Sequence, residues 1–298
     1  MSGVMSSFGR LLDKCHYLEG PRWHDGRIWV SDFHGHQVLS SGLDGDRRVE
    51  AELDDRPSGL GWLPDGRLLV VSMARRAVLR REESGELVEH ADLSSFNDSE
   101  SNDMVVDASG RAYVSGTGFD ANAGEAIRTC PLLKVEADGC ATVVAEDLYM
   151  PNGLTFLPSG ELVVAETVGN RLTAFDVLAD GALEGSRVWA EFGPRPTSTD
   201  LLEVLPTLTV GPDGICADAE GAVWVADSLH NRVLRVAEGG AILQEVSTGA
   251  MGAYSCTLGG PTGCTLFICS APDFNYASRA AAREGQLLTL EVDIPAVS

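Results

Sequence analysis

Lysine is nearly absent from this chain. Only Lys14 and Lys134 occur, and with the arginines they make 22 cationic residues against 44 acidic ones, a net charge of −22. A surface of that sign repels nucleic-acid phosphates and anionic membranes, so neither is an expected partner. No apolar run approaches the roughly 20 residues needed to cross a bilayer. The opening "MSGVMSSFGRLLDKCHY" has no apolar h-region, so no secretory signal is expected there and the expected location is the cytoplasm. Cysteine is present but unpatterned. The seven cysteines are odd in number, irregularly spaced and without a C-x-x-C pair, which favours reduced thiols over zinc binding or a disulfide framework. Cys130 and Cys140 are the one pairing worth weighing, and two free thiols is the preferred reading.

Other absences exclude chemistry. No G-x-S-x-G elbow or H-E-x-x-H pair occurs, which argues against a serine hydrolase of that type and a zincin. "GTGFDANAG" lacks the strand–turn–helix context of a dinucleotide fingerprint. His34 and His36 in "HGH" read as a surface turn, not a second metal site. Helical periodicity is almost missing, with at most one turn near Leu201–Leu205.

What is present is a repeat. "GRIWVSD" from Gly26, "GRLLVVS" from Gly66, "GRAYVSG" from Gly110, "GELVVAE" from Gly160 and "GAVWVAD" from Gly221 share one pattern, and "GCTLFICS" from Gly263 is a sixth copy. The glycines lie 40, 44, 50, 61 and 42 residues apart. Most follow a polar residue suited to a tight hairpin. Such periods, with several strands per unit, signal a β-propeller. The expected fold is all-β: a six-bladed propeller of four-stranded antiparallel blades, one domain over residues 1–298. The last unit lacks its own fourth strand, and "FGRLLDKCHY" is expected to supply it and close the ring. Residues 115–131 and 192–212 are long loops that depart from the period.

Eight residues before the turn glycines stand Ser58, Asn102, Asn152, Asp213 and Ser255, and Glu19 stands seven before Gly26. If this position begins each innermost strand, the six side chains converge on the axis. Glu19, Asn102, Asn152 and Asp213 would then offer two carboxylates and two amide oxygens, a set suited to a hard divalent cation. Taken singly, "PNG" and "PDG" are more often turns than ligands.

The phrases "LEGPRW", "NDMVVDASGRAYVSGT", "MPNGLTFLPSGELVVAET" and "PDGICADAEGAVWVADS" resemble the SMP-30/gluconolactonase/LRE family across essentially the whole chain. The resemblance implies a six-bladed propeller with one divalent cation in its channel, hydrolysing sugar lactones or other lactones. It implies Glu19, Asn152 and Asp213 as metal ligands. Calcium leads among the cations, with zinc, manganese and magnesium open. It also implies Asn102 and Asp103 as substrate contacts, with Asp120 as the matching acidic residue of the third-blade loop. Many members carry an arginine two residues before the N-D asparagine; Glu100 stands there instead. Phe33, Met73, Phe119, Met150 and Tyr254 lie near the expected channel mouth and would favour a less polar lactone. The expected mechanism is metal-assisted opening of a cyclic ester, with Asp213 as general base or nucleophile. The alternatives are an organophosphate-hydrolysing propeller and a non-catalytic binding propeller.

Overall fold

A computed structural model describes residues 8–297. The first seven residues, part of the segment read above for a signal, lie outside the described residues. Six sheets of four antiparallel strands are present, and each inner strand packs against the next until the sixth meets the first. The inner strands are Leu18–His24, Pro57–Trp62, Ser101–Val106, Pro151–Phe156, Pro212–Ala217 and Gly252–Gly259. All six repeat glycines have positive φ in the turn that leads to the second strand, a conformation glycine adopts freely. Period 40–60 and turn chemistry thus agree with the six-bladed expectation.

The ring closes as anticipated. Gly9–Cys15 forms the outer strand of blade six, pairing antiparallel with Gly285–Glu291 from Gly9 opposite Thr289 to Cys15 opposite Gly285. Closure brings the first and last strands into one sheet and joins the chain ends through hydrogen bonds.

The core is divided into wedges between blades. Leu172, Trp189, Ile215 and Val225 fill the gap between blades four and five, and Leu12, Leu18, Ile28 and Phe267 the gap between six and one. The second strands of blades two, four and five are buried on both faces, so their residues read as near-continuous apolar runs. The four-residue helix Leu201–Val204 matches the single turn expected there. A second helix, Tyr276–Ala281, was not expected; Asn275 caps it, its side chain accepting from Ser278 N at 3.0 Å. All seven cysteines are free, Cys130 and Cys140 included. No helix among the described residues is long and apolar enough to cross a membrane.

Candidate active site

Five inner strands begin alike. Glu19, Ser58, Asn102, Asn152 and Asp213 are each the second residue of their strand. Right after each, the pairing with the second strand slips: Pro151 faces Glu166 but Leu154 faces Val164, and Pro212 faces Asp227 but Ile215 faces Val225. This bulge puts an extra residue on the inner strand and re-aims its side chain. Asn152-Gly153 and Asp213-Gly214 are therefore bulges within strands, not the turns their dipeptides suggest.

The glycines have a separate reason. A Cβ on Gly153 would lie 2.6 Å from Asp213 O, and one on Gly59 would lie 2.3 Å from Met104 N. Neighbouring blades approach so closely at the axis that only a hydrogen fits.

In blade six the slip falls between Ala253 and Ser255, so Tyr254 occupies the axial place and Ser255 does not. Counting back from the turn glycine missed by one because this blade's inner strand and hairpin differ in length from the others. Ser255 takes the place that Gly20, Gly59, Gly153 and Gly214 hold in their blades and Asp103 in blade three, packed against Gly214.

A cavity of about 680 Å³ opens at this end of the axis. Glu19, Asn102, Asn152, Asp213 and Asp120 all line it, as do Phe33, Met73, Phe119, Met150 and Tyr254. Asp103 does not. Its Oδ1 accepts from Arg22 Nη2 of blade one at 3.0 Å and from Met104 N at 2.7 Å. Ser58 is buried beside the ring and donates to Asn102 Oδ1 at 3.2 Å. The Asn152 amide donates to Thr167 Oγ1 at 3.4 Å, and Thr167 donates onward to Pro212 O at 2.8 Å, tying two axial strands together.

Both axial carboxyls are pushed well above the usual carboxylate range. For Glu19 the first cause is burial, followed by the charges of Asp213 and Asp103; the Gly20 N–H and Arg22 oppose it. For Asp213 it is again burial, then Asp103, with the Asn152 amide pulling the other way. Two acids that destabilise each other's charge are a fit for a divalent cation, and the amide oxygens of Asn152 and Asn102 complete a hard-oxygen set. Among the described residues, no three His, Cys, Asp or Glu side chains gather as a metal-binding group, because the ring is half amide.

Sequence reasoning missed the supports behind the ring. Asp32 accepts from His16 N at 3.0 Å and Tyr17 N at 3.1 Å. Glu166 accepts from Tyr149 N at 2.8 Å, and Asp227 from Gly211 N at 3.0 Å. Each faces the residue preceding Glu19, Asn152 or Asp213 and is completely or nearly buried. Arg171 and Arg232 balance the last two at 2.7 and 2.8 Å. The matching places in the other blades are Ser72, Gly116 and Ser270. The signal was in the repeats, which end "SD", "AE" and "AD" in those three blades alone.

The long loops also meet here. Phe119 and Ile127 from the third blade pack with Val204 and Leu208 from the segment before the fifth, and Ile127 N donates to Thr199 O at 2.8 Å. Both loops contribute to the cavity wall, through Asp120 and Glu125 on one side and Leu201 and Leu205 on the other. The wall opposite contains Arg56, paired with Glu100 and stacked on Phe33 and Tyr276, each ring centroid 5.2 Å from the guanidinium carbon. Arg56 precedes Ser58 by the same offset at which Glu100 precedes Asn102, a relation visible in the sequence once the ring is aligned.

The profile of the SMP-30/gluconolactonase/LRE-like region matches residues 18–272. The chain belongs to this family. Among family relatives, a 6-deoxy-6-sulfogluconolactonase of Pseudomonas putida is 28% identical over 201 residues, 65% of this chain and 62% of that protein. The aligned stretch thus spans less than two thirds of the relative's length. Regucalcin of Xenopus laevis is 41% identical over 63 residues, 21% of each chain. Solved propellers share the fold: a calcium-binding regucalcin from Agrobacterium tumefaciens superposes with a TM-score of 0.77 at 23% identity, covering 97% of this chain and 95% of that one. A gluconolactonase from Xanthomonas campestris gives 0.73 at 23% identity, covering 97% and 90%.

Proposed function

We propose that this propeller hydrolyses a lactone with the help of one divalent cation held by Glu19, Asn152 and Asp213, with Asn102 adjacent. The observation that carries the proposal is the pair of mutually repelling carboxylates, half-buried Glu19 and buried Asp213, that line one cavity with two amides. Calcium is the favoured ion because the donors are hard oxygens without His or Cys, and relatives named regucalcin support it. When bound, the cation supplies positive charge that polarises the lactone carbonyl and keeps both carboxylates ionised.

The chain's own residues do the rest. Asp213 accepts the proton of an attacking water as its oxygen bonds to the carbonyl carbon. The ring C–O bond breaks, and the departing alkoxide regains a proton to give the hydroxy acid. Asn102 donates to a substrate oxygen and is itself oriented by Ser58. Asp120 stands on the loop wall, its Oδ1 fixed by Asn122 N and Ala123 N at 2.9 and 3.0 Å, where it meets the substrate's far side. Asp103 serves by holding the Asn102 segment against Arg22. Phe33, Met73, Phe119 and Met150 give the lactone an apolar bed.

Hydrolysis of a panel of aldonolactones, aliphatic lactones and dihydrocoumarin tests this, with chelator and with Ca²⁺, Zn²⁺, Mn²⁺ or Mg²⁺ restored. Turnover abolished by chelator and recovered with calcium is expected. Undiminished turnover in stripped protein would overturn the metal role; bound metal without turnover of any lactone would overturn the lactonase assignment.

A further inference from the structure

We propose that Arg56, with Arg279 on the same wall, forms a subsite for an anionic group carried by the lactone; this rests on the lactonase reading above. Arg56 is buried in the cavity wall, and among the described residues its only side-chain hydrogen bond runs from Nη2 to Glu100. Phe33 and Tyr276 clamp the guanidinium, which fixes its plane without using its remaining N–H donors.

Arg279 comes from the unexpected helix Tyr276–Ala281 and is 4% exposed. It donates from Nε to Asp273 at 3.1 Å and from Nη2 to Asp273 at 3.5 Å, and its Nη2 is ion-paired with Glu284 at 3.0 Å. Among the described residues its Nη1 is buried without a partner. A buried guanidinium donor left unpaired is costly, and a shift of this cavity-lining side chain toward a ligand oxygen would satisfy it. Asp273 and Glu284 are themselves half exposed, so water screens their share of the balance.

The local field agrees. His34, which lines the same cavity, is pushed down to about 4, first by burial, then by Arg56, with Arg279 among the smaller causes. In a chain of net charge −22 the two guanidiniums make a small cationic lobe on the cavity wall, partly balanced by Glu100, Asp273 and Glu284. A carboxylate, sulfonate or phosphate shares the chemistry such a lobe recognises, bidentate oxygen acceptors of negative charge. Substrate would then be held at two ends, its carbonyl at the axial acids and its anion at Arg56.

Two lactones of equal shape decide this: 5-oxotetrahydrofuran-2-carboxylate and its carboxamide, assayed with calcium-loaded protein. Wild type should favour the carboxylate by roughly 10- to 100-fold in kcat/KM. Arg56→Met should collapse that preference to about twofold or less, chiefly through KM, and Arg56→Lys should keep part of it, which a misfolded variant would not. Equal use of both lactones by wild type, or an equal fall for both in Arg56→Met, overturns the subsite and leaves the lactonase reading standing. If neither lactone is hydrolysed, the lactonase reading fails on this scaffold, and calorimetric binding of the two compounds decides the subsite. Tighter carboxylate binding that Arg56→Met abolishes upholds it; indifference to the charge overturns it.

Discussion

Glu19 and Asp213 are set against each other by burial. Among the described residues neither forms a salt bridge, and Arg22, whose charge reaches Glu19, is engaged by Asp103. Glu19→Gln and Asp213→Asn should each lower kcat/KM by at least roughly 100-fold, with the far-ultraviolet circular dichroism unchanged; activity within tenfold of wild type would remove the acids from the mechanism. The same burial makes a pH prediction. Folded Glu19 and Asp213 hold protons more tightly than unfolded carboxylates do. Between the ordinary carboxylate pKa and the raised values, the folded state therefore binds more protons, and stability falls as pH rises through that window. Metal-free protein should gain melting temperature as pH is lowered from neutral toward the ordinary carboxylate range. Asp213→Asn should show less of this gain, while the self-repulsion common to both proteins cancels in the comparison. Parallel melting curves against pH would contradict the account. Bound cation should reverse the trend, because it needs both acids ionised.

At the scale of the strand, the ring depends on what holds each inner strand's start. Asp32, Glu166 and Asp227 grip the backbone two or three residues before Glu19, Asn152 and Asp213, and do so only in those blades. Glu166→Gln and Asp227→Asn should weaken calcium binding by roughly 10- to 100-fold by calorimetry. Ser72→Ala, at the matching place in blade two, should leave it within about twofold. A lower melting temperature with calcium affinity intact would make these carboxylates purely structural. Much of the strand pattern was legible because each hairpin glycine has a positive φ and the second strand that follows it is largely apolar. The axial residue could be counted back from that glycine wherever hairpin length is constant. In blade six it is not, and Tyr254 went unrecognised as the axial residue. The supports escaped notice although they end the aligned repeats, because a terminal acid in a strand has no local signature of what it caps.

For the whole molecule, closure by residues 9–15 and the wedges between blades are expected to make the ring unfold as one body. Leu12 is 4% exposed between the first and last blades, and Leu12→Ala should cost about 2–4 kcal/mol in urea unfolding; a loss below about 1 kcal/mol would mean the outer strand contributes little. Six blades, their closure and four axial oxygen donors could be inferred from periodicity and resemblance. The cavity walls could not. Arg56 reaches Glu100 across a blade interface, and the two long loops find each other through Phe119, Ile127, Val204 and Leu208, pairings that only the closed ring creates. Most direct for the central claim is lactone turnover by one protein sample carried through chelation and calcium return, with metal content measured at each stage. Turnover that vanishes with the metal and returns at one equivalent of calcium is the predicted result. Unchanged turnover by protein shown to be metal-free would contradict it.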